Sequence, residues 1–149
     1  MTLSDDARRN RTMWDGLADE YQEQHGAQLA TAPKAWGVWR VPDAALGAVG
    51  AVVDKDVLEL GCGAAQWAIA LALEGARVVG LDNSPRQLDH AREGAAAAGV
   101  TLALVLGSAE AVPLPDASFD VVLSDHGAMS WCDPERTVAE GARLLRPGG

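Results

Sequence analysis

The sequence lacks the basic charge and the long apolar runs that mark several classes of protein. It has 12 basic and 21 acidic residues, which gives a net charge of −9 at pH 7. A chain this acidic has no basic footprint for nucleic acid or for an anionic membrane surface. No apolar run approaches the roughly 18 residues that a membrane-spanning helix requires. We therefore predict that neither nucleic acid nor a membrane is a partner.

Cysteine is also scarce, and the amino terminus has no apolar stretch. Cys62 and Cys132 lie far apart and match no metal-binding spacing, so we predict no metal site and expect both thiols to be reduced and unpaired. Charged residues stand where a signal peptide would be apolar, which predicts a cytoplasmic protein. These residues are Asp5, Asp6, Arg8 and Arg9. The length of 149 residues suffices for one domain with its own core.

The first 55 residues have helical character. Ser4 is predicted to cap a first helix, and Gly26 is predicted to end it. The apolar face of this helix is predicted to carry Trp14, Leu17, Ala18 and Tyr21. A second short helix is predicted over residues 33–39. A third is predicted after residue 42, and its inner face is Ala45, Leu46 and Val49.

From Asp56 onward, strand-like and helix-like segments alternate. The predicted strands are "DVLEL", "ARVVGLD", "VTLALVL" and "FDVVLS". Three helices are predicted between and after these strands. The first is "QWAIALALE", and Gly75 closes it. The second is "SPRQLDHAREGAAAAG", which begins with a capping box of Ser84 and Gln87, and the third is capped by Asp133. The inward residues of the last helix are predicted to be Val138, Ala142 and Leu145. This alternation predicts an α/β fold with a parallel sheet and helices on both faces.

A glycine turn follows the first of these strands, and an acid ends the second. Gly61 and Gly63 stand between strand and helix, and Asp82 lies 19 residues past Gly63. Glycine permits positive φ and a close approach of a ligand to the backbone, and the amino end of a helix attracts a phosphate or carboxylate. A carboxylate at the end of the next strand accepts hydrogen bonds from ribose hydroxyls. The pattern favours a nucleoside-containing ligand at the carboxyl edge of the sheet.

The dinucleotide alternative fits less well. Its fingerprint has a third glycine, and this sequence has Gln66 at that position. The glycine turn also follows more than 50 residues of helical character, whereas dinucleotide domains commonly open with it. Both features disfavour NAD.

Five stretches together resemble the class I S-adenosylmethionine-dependent methyltransferases, particularly the small-molecule branch called type 11. They are "WDGLADEYQEQ", "VLELGCG", "VVGLDNSPRQLDHAR", "LGSAEAVPLPDASFDVVLS" and "DPERTVAEGARLLRPGG". The resemblance implies a Rossmann-like sheet with strand order 3-2-1-4, and about three further carboxyl-terminal strands of the family have no counterpart here. It implies a helical lid or extension over residues 1–55 and an incomplete S-adenosylmethionine-binding core over residues 56–149.

The resemblance also implies roles for residues near the first two strands. Glu59, Gly61 and Gly63 would line the methionine part of S-adenosylmethionine. Asp82 would hold the ribose, and Asn83 would flank the adenine. S-adenosylhomocysteine would be the product.

Further roles fall on the last two strands. Ala109 would offer its backbone N–H to the adenine, beside Ser108, which stands where the family usually has an aspartate. Ser124 would face the sulfonium region. Asp125 and His126 follow the fourth strand, and His126 is the candidate general base. The alternative for His126 is a loop histidine that contacts water or caps backbone.

Several other residues leave two interpretations open. Tyr21 either closes over the cofactor or packs within the first helix, and Trp14, Trp36 and Trp39 line either an acceptor pocket or a core. Cys62 is expected to be a small residue of the turn and no nucleophile. His25 and His90 are expected at the helix surface.

Three functions remain in competition. The first is methyl transfer from S-adenosylmethionine to a small-molecule acceptor. The second is a non-catalytic or fragmentary S-adenosylmethionine-binding module that forms a homodimer through the exposed strand "FDVVLS". The third is an NAD-dependent oxidoreductase, which the missing glycine disfavours.

Overall fold

The computed structural model describes residues 3–149 and begins with a long helix and a small hairpin. The elements are α1 (Asp5–Thr31), β1 (Ala35–Trp36), β2 (Val41–Pro42) and α2 (Asp43–Leu46). β1 and β2 pair as antiparallel strands. We call residues 35–42 the lid hairpin. Both α1 and the lid hairpin contribute residues to a cavity at one edge of the main sheet.

The main sheet has four parallel strands in the order β5-β4-β3-β6. Its elements are β3 (Asp56–Leu60), α3 (Gln66–Leu73), β4 (Arg77–Asp82), α4 (Pro85–Ala98), β5 (Ala103–Leu106), β6 (Val121–Leu123), α5 (Ala128–Trp131) and α6 (Pro134–Leu144). The predicted α/β fold class and the predicted strand order are confirmed. The short helix α5 was not predicted.

Alternate residues of β3 face two separate apolar clusters. Val57 belongs to the cluster beneath α3 and α4, whereas Leu58 and Leu60 belong to the cluster beneath α6. Both Val57 and Leu58 are fully buried, because a central parallel strand is covered on both faces. This packing fixes the carboxyl end of β3, where the glycine turn begins.

The predicted helix caps are confirmed, but the capping box is wrong. Ser4 Oγ accepts from Ala7 N, and Ser84 Oγ accepts from Gln87 N. The backbone N–H of Ser84 donates to Asp82 Oδ1. The Gln87 side chain accepts from Gln22 of α1, so it is directed toward the lid and does not close a capping box.

Gly26 does not end the first helix, which continues to Thr31. The Gln22 side chain donates to Gln87 and accepts from Gln66. A Cβ at Gly26 would lie 3.3 Å from Gln22 Oε1. Gly26 therefore leaves room for this polar contact. The helix continues through it because a glycine inside a helix lowers stability by only about 1 kcal/mol relative to alanine.

The helix predicted over residues 33–39 is also wrong, because this segment forms the lid hairpin. Gly37 and Arg40 have φ values of 63° and 51°, which no right-handed helix accommodates. Arg40 N donates to Gly37 O and closes the turn. The third predicted helix is present only as the four-residue α2, in which Leu46 is exposed, while Val49 beyond it is buried.

Two predicted helix faces need correction. In α6, Val138 and Ala142 are exposed, and the buried residues are Thr137 and Leu144. The neighbouring polar contacts fix this rotation, since Val112 N donates to Glu140 and Arg143 donates to the carbonyl oxygens of Val112 and Leu114. In α1, Leu17 is exposed whereas Ala18 is fully buried.

Within residues 3–149, no helix combines the length and the apolar character that crossing a bilayer requires. Cys62 and Cys132 form no disulfide.

Candidate functional site

A cavity of about 540 Å³ opens at the carboxyl edge of the sheet, where α1 and the lid hairpin face the ends of the strands. Seven of the nine predicted site residues line it. They are Glu59, Gly61, Gly63, Asp82, Asn83, Ala109 and His126. The structure thus brings together residues from the ends of all four strands of the main sheet, as expected for ligand sites in open α/β sheets.

The structure places Ser108 and Ser124 outside the cavity lining. Ser124 Oγ donates to Leu60 O at 2.9 Å and ties the end of β6 to the end of β3. Ser108 Oγ accepts from Glu110 N at 3.2 Å. Each hydroxyl is therefore committed to a backbone contact. The contact of Ser108 is local, whereas that of Ser124 joins two neighbouring strands.

The glycine turn brings two segments of backbone into direct contact. Gly61 has a φ of 69°, and a Cβ on it would overlap the backbone of Gly127 and Ala128. A Cβ on Gly127 would overlap Gly61 O. Glycine at both positions is therefore required for the loop after β6 to approach the end of β3.

Asp82 is bonded directly to this turn. Its Oδ2 accepts from Gly63 N at 2.8 Å, and its Oδ1 accepts from Ser84 N at 2.8 Å. Burial raises the pKa of this carboxyl, while the N–H donors oppose the rise. The turn and the acid are thus parts of one hydrogen-bonded unit at the wall of the cavity.

Glu59 is a buried acid next to the same turn. It is 4% exposed, and its Oε2 accepts from Ala68 N in the first turn of α3 at 3.0 Å. Burial raises its pKa to about 8, against the opposing N–H bond, and the charges of Asp82 and Asp125 add to the rise. The carboxyl group is therefore largely neutral at pH 7 until a positive charge arrives beside it.

Asp125 connects the loop after β6 to the lid hairpin. Its Oδ1 accepts from Gly37 N at 2.9 Å, and its Oδ2 accepts from the Trp67 indole N–H at 3.2 Å. The next residue, His126, is exposed and has a φ of 53°. A non-glycine residue in this conformation is uncommon, and such strain concentrates at functional sites.

Polar contacts hold α1 over the cavity. Asp15 Oδ1 accepts from Ser84 Oγ at 2.9 Å and from Arg86 N at 2.8 Å. Asn83 donates to Ala7 O and accepts from Arg11. Asn83 thus anchors the helix as well as lining the cavity.

His90 also contacts α1, since its Nε2 lies 2.7 Å from Asp19 Oδ1. Arg86 bonds to the same carboxylate, and this contact is the main cause of the lowered pKa of Asp19. His90 is half-buried between α4 and α1, so it forms part of the attachment of α1 and is not the surface residue that was predicted.

Aromatic rings form a wall of the cavity. Trp14 lies edge-on to Tyr21 and to Trp131, with centroid distances of 5.5 Å and 5.2 Å. Tyr21 also contacts the His25 ring at 4.8 Å. The surface position predicted for His25 is wrong, because His25 is half-buried and lines the cavity one turn after Tyr21.

Trp36 and Trp39, the other two tryptophans predicted to line an acceptor pocket or a core, differ from one another. Trp36 packs on Trp67 at a centroid distance of 4.5 Å, and its indole N–H donates to Asp43. It therefore belongs to the core. Trp39 is 87% exposed at the lid hairpin, so it is part of neither the core nor the cavity wall.

Neither cysteine has the environment of a nucleophile. Burial raises the pKa of the Cys62 thiol well above its usual value, and a Cβ at Gly80 would lie 3.0 Å from Cys62 Sγ. Cys62 is therefore a small packed residue of the turn, as predicted. Burial also raises the pKa of Cys132, which lines the cavity.

Sequence reasoning missed His25, Trp131 and Gly127 at this site. The spacing of His25 from Tyr21 is one helical turn, which could have placed both on one face. Gly127 carried a weaker signal, since a glycine just before a helix has several uses. Trp131 lies on a four-residue helix that has no periodicity to recognise.

Comparison with known proteins agrees with this geometry. Residues 57–149 match the family model described as a methyltransferase domain. An uncharacterized methyltransferase of Mycobacterium tuberculosis is 42% identical over 111 residues, covering 74% of this chain and 40% of that relative. The demethylmenaquinone methyltransferase of Thermus thermophilus is 37% identical over 97 residues, covering 64% of this chain and 44% of that relative. The chain therefore spans less than half the length of these relatives.

A solved structure shows the same fold. It is phosphoethanolamine N-methyltransferase 1 of Haemonchus contortus, in complex with phosphoethanolamine and S-adenosylhomocysteine. Its TM-score is 0.74 at 21% identity, over 98% of this chain and 31% of that chain. At this identity the likeness supports the fold alone.

Proposed function

Because this chain belongs to the class I S-adenosylmethionine-dependent methyltransferases, we propose that it binds S-adenosylmethionine at the carboxyl edge of its sheet and transfers the methyl group to a small molecule. The observation that carries this proposal is the hydrogen bond between Gly63 N and Asp82 Oδ2 at the cavity wall. It joins the glycine turn and the strand-end acid at one site, which is the arrangement that an adenosyl ligand requires.

The donor and acceptor groups around the cavity fit the cofactor. Asp82 presents carboxylate oxygens to the ribose hydroxyls, and Glu59 presents a buried carboxyl group to the positively charged methionine end. Gly61 and Gly63 have no side chain, so the methionine end of the cofactor can approach their backbone closely. We assign Asn83 and the backbone of Ala109 to the adenine side, where both line the cavity.

Two further residues are assigned to the site indirectly, through backbone that they hold. Ser108 and Ser124 both bond to backbone, so we propose that they shape the adenine and sulfonium regions through the loops they hold. Ser108 lacks the negative charge of the aspartate that the family usually has at this position. The adenine amino group therefore has no carboxylate partner at this position.

The bound cofactor supplies a methyl group on a sulfonium, which is already activated for transfer. The protein's task is to align the acceptor and to exclude water. α1 and the lid hairpin cover the cavity, so we assign residues 1–55 to the lid and residues 56–149 to the binding core. Where the acceptor must lose a proton, His126 at the cavity wall takes it.

The test is a calorimetric titration with S-adenosylhomocysteine. We expect Asp82→Ala to weaken binding at least about tenfold, because it removes the ribose partner and the bond to Gly63. Asp54→Asn is the matched control, since Asp54 is exposed and precedes β3 at the opposite end of the sheet. Equal affinity of Asp82→Ala and the unchanged chain, with both folded by circular dichroism, would refute the proposal.

A second candidate is an S-adenosylmethionine-binding module that self-associates and does not catalyse transfer. It is supported by the position of β6, which is the last strand on its side of the sheet among residues 3–149. Binding of S-adenosylhomocysteine without turnover on any acceptor would favour it. The cytoplasmic location expected from the sequence stays a prediction.

A further inference from the structure

The cavity carries more negative than positive charge. Three acidic side chains line it, namely Glu59, Asp82 and Asp125. Arg40 is the one arginine or lysine among the described lining residues, and its Nη2 donates to the carbonyl oxygens of Gln28 and Ala32 at 3.1 Å and 2.8 Å. Its charge is thus directed at the carboxyl end of α1. An anion that entered the cavity would meet the carboxylates of Asp82 and Asp125, beside the largely neutral Glu59, and Arg40 is already engaged by backbone carbonyl oxygens.

The three acids divide between the two ligands of the proposed reaction. Glu59 and Asp82 lie at the ends of β3 and β4, beside the glycine turn that we assign to the cofactor. Asp125 lies after β6 and bonds to Gly37 of the lid hairpin. Asp125 is therefore the acid that remains for the acceptor.

The surroundings of Asp125 suit a positively charged group. Tyr21 and His25 face the cavity from α1, and the charge of Asp125 contributes to the raised pKa of Tyr21, after burial. Trp14 extends this aromatic wall. Aromatic rings attract cations within about 6 Å of their centres, and a carboxylate nearby adds to the attraction.

We propose that the acceptor is an amine, which Asp125 and the aromatic wall of Trp14, Tyr21 and His25 bind in its positively charged form. Before transfer the bound ammonium group gives one proton to His126, the base assigned above. The freed nitrogen lone pair then bonds to the methyl carbon as the bond from that carbon to sulfur breaks, and S-adenosylhomocysteine leaves. This inference rests on the proposed function for the division of the cavity between cofactor and acceptor. It also explains why Asp125 is held by two N–H donors, from Gly37 and Trp67, since these bonds fix its carboxylate in place. An acceptor that carries a carboxylate or a phosphate is disfavoured.

The test uses three probes of one size and different charge: 2-phenylethylamine, 2-phenylethanol and phenylacetate. Each is titrated calorimetrically with and without saturating S-adenosylhomocysteine at constant ionic strength. We expect the amine to bind at least about tenfold more tightly than phenylacetate, with the alcohol between them. Phenylacetate or the alcohol binding as tightly as the amine, or binding of none of the three, would overturn the proposal.

A variant separates the charge of Asp125 from its structural role. Asp125→Asn removes the charge and keeps one carbonyl oxygen, which can accept from the Gly37 N–H but not also from the Trp67 indole N–H. We expect the preference for the amine over phenylacetate to fall about tenfold. Asp54→Asn is the matched control and should leave the preference unchanged. Equal weakening of all three probes in Asp125→Asn would show a merely structural role and would overturn the proposal.

The two proposals fail in distinguishable ways. Absence of S-adenosylhomocysteine binding would refute the proposed function, and the titrations without it would still measure the charge preference of the cavity. If S-adenosylhomocysteine binds but the cavity prefers phenylacetate to the amine, the result would refute only the proposal that the acceptor is an amine.

Discussion

At the scale of the residue, the absence of a Cβ at Gly61 and Gly127 allows two backbone segments to meet at the cavity wall. Gly127 touches the carbonyl group of Gly61, and both lie at the cavity wall. This contact places the loop after β6, with Asp125 and His126, against the end of β3. The glycine turn thus has a structural purpose that is separate from any contact with a ligand.

We predict that Gly127→Ala lowers the free energy of unfolding by at least about 2 kcal/mol, because the added methyl group overlaps backbone that cannot move freely. Urea denaturation measures the change. Gly16→Ala is the control, since nothing lies within 4 Å of an added Cβ at this position in α1. The control should gain up to about 1 kcal/mol from its better helix propensity. A Gly127→Ala chain as stable as the unchanged chain would contradict the contact.

Glu59 gives the chain a stability that depends on pH. Its pKa is about 8 in the folded chain and 4.5 as an ordinary glutamate, so between these values the folded state holds a proton that the unfolded state has released. Stability then falls as pH rises through this range, by about 1.4 kcal/mol per pH unit at most. The raised pKa of Asp82 acts in the same direction.

We predict that Glu59→Gln flattens this dependence and makes the chain more stable than the unchanged one at pH 8. The glutamine keeps an oxygen for the Ala68 N–H, and it carries no charge to bury. Urea denaturation at pH 5, 6, 7 and 8 measures the slope for both chains. If the free energy of unfolding changes with pH equally in Glu59→Gln and in the unchanged chain, Glu59 ionises in the folded state as it does in water.

At the scale of the element, α1 is attached to the core by polar contacts more than by apolar burial. Only two of its described residues, Ala7 and Ala18, are fully buried. Its contacts with α4 depend on Asp15, Asp19 and Gln22. Such an element opens at a lower free energy than a core strand does, which suits a helix that must admit a ligand.

We predict that Asp15→Ala loosens α1 and leaves the sheet unchanged. It removes two hydrogen bonds to the start of α4, worth about 1–3 kcal/mol together. Amide hydrogen exchange should rise in α1 alone, and the affinity for S-adenosylhomocysteine should fall about three- to tenfold. Glu23→Ala on the exposed side of the same helix should change neither. Exchange in α1 equal to that of the unchanged chain would contradict the attachment.

The elements that the sequence predicts well are those whose signals are local. The strands of the main sheet and helix α3 follow from apolar runs, with Gly75 just after the end of α3. Helices α4 and α6 follow from the caps Ser84, Gly99 and Asp133. The lid hairpin was missed because its turn uses Arg40 at positive φ, which no composition rule indicates. The length of α1 was missed because the role of Gly26 depends on Gln22 contacts with residues 44 and 65 positions away.

In the candidate site too, some residue positions follow from local sequence signals and others depend on long-range contacts. The position of Asp82 and of the glycine turn follows from the ends of neighbouring strands, which meet at one edge in any parallel sheet. The contact of Asp125 with Gly37 joins residues 88 positions apart in a hairpin that the sequence did not predict. The local sequence pattern does not indicate long-range contacts of this kind. In this structure such a contact positions Asp125, the residue that we assign to the acceptor.

At the scale of the whole molecule, β6 is the outermost strand on one side of the sheet among residues 3–149, and we expect its outer edge to pair with another chain. β6 pairs with β3 on one side, and in the described residues its other side carries only the bridge between Phe119 and Leu145. Asp120 N donates toward β3, and Phe119 O accepts from Arg146 on the opposite side. Because backbone groups alternate along a strand, the N–H of Val121 points to the open side.

We predict that the chain of residues 1–149 forms a homodimer through β6, seen by light scattering as twice the mass of one chain at high concentration. The net charge of −9 on each copy opposes association, so added salt should strengthen it. Val121→Pro removes one outward N–H without removing a bond to β3, and edge strands tolerate proline at such positions. We expect this variant to stay folded by circular dichroism and to have the mass of one chain. A single-chain mass for the unchanged protein at all concentrations and salt levels would rule out pairing through this edge.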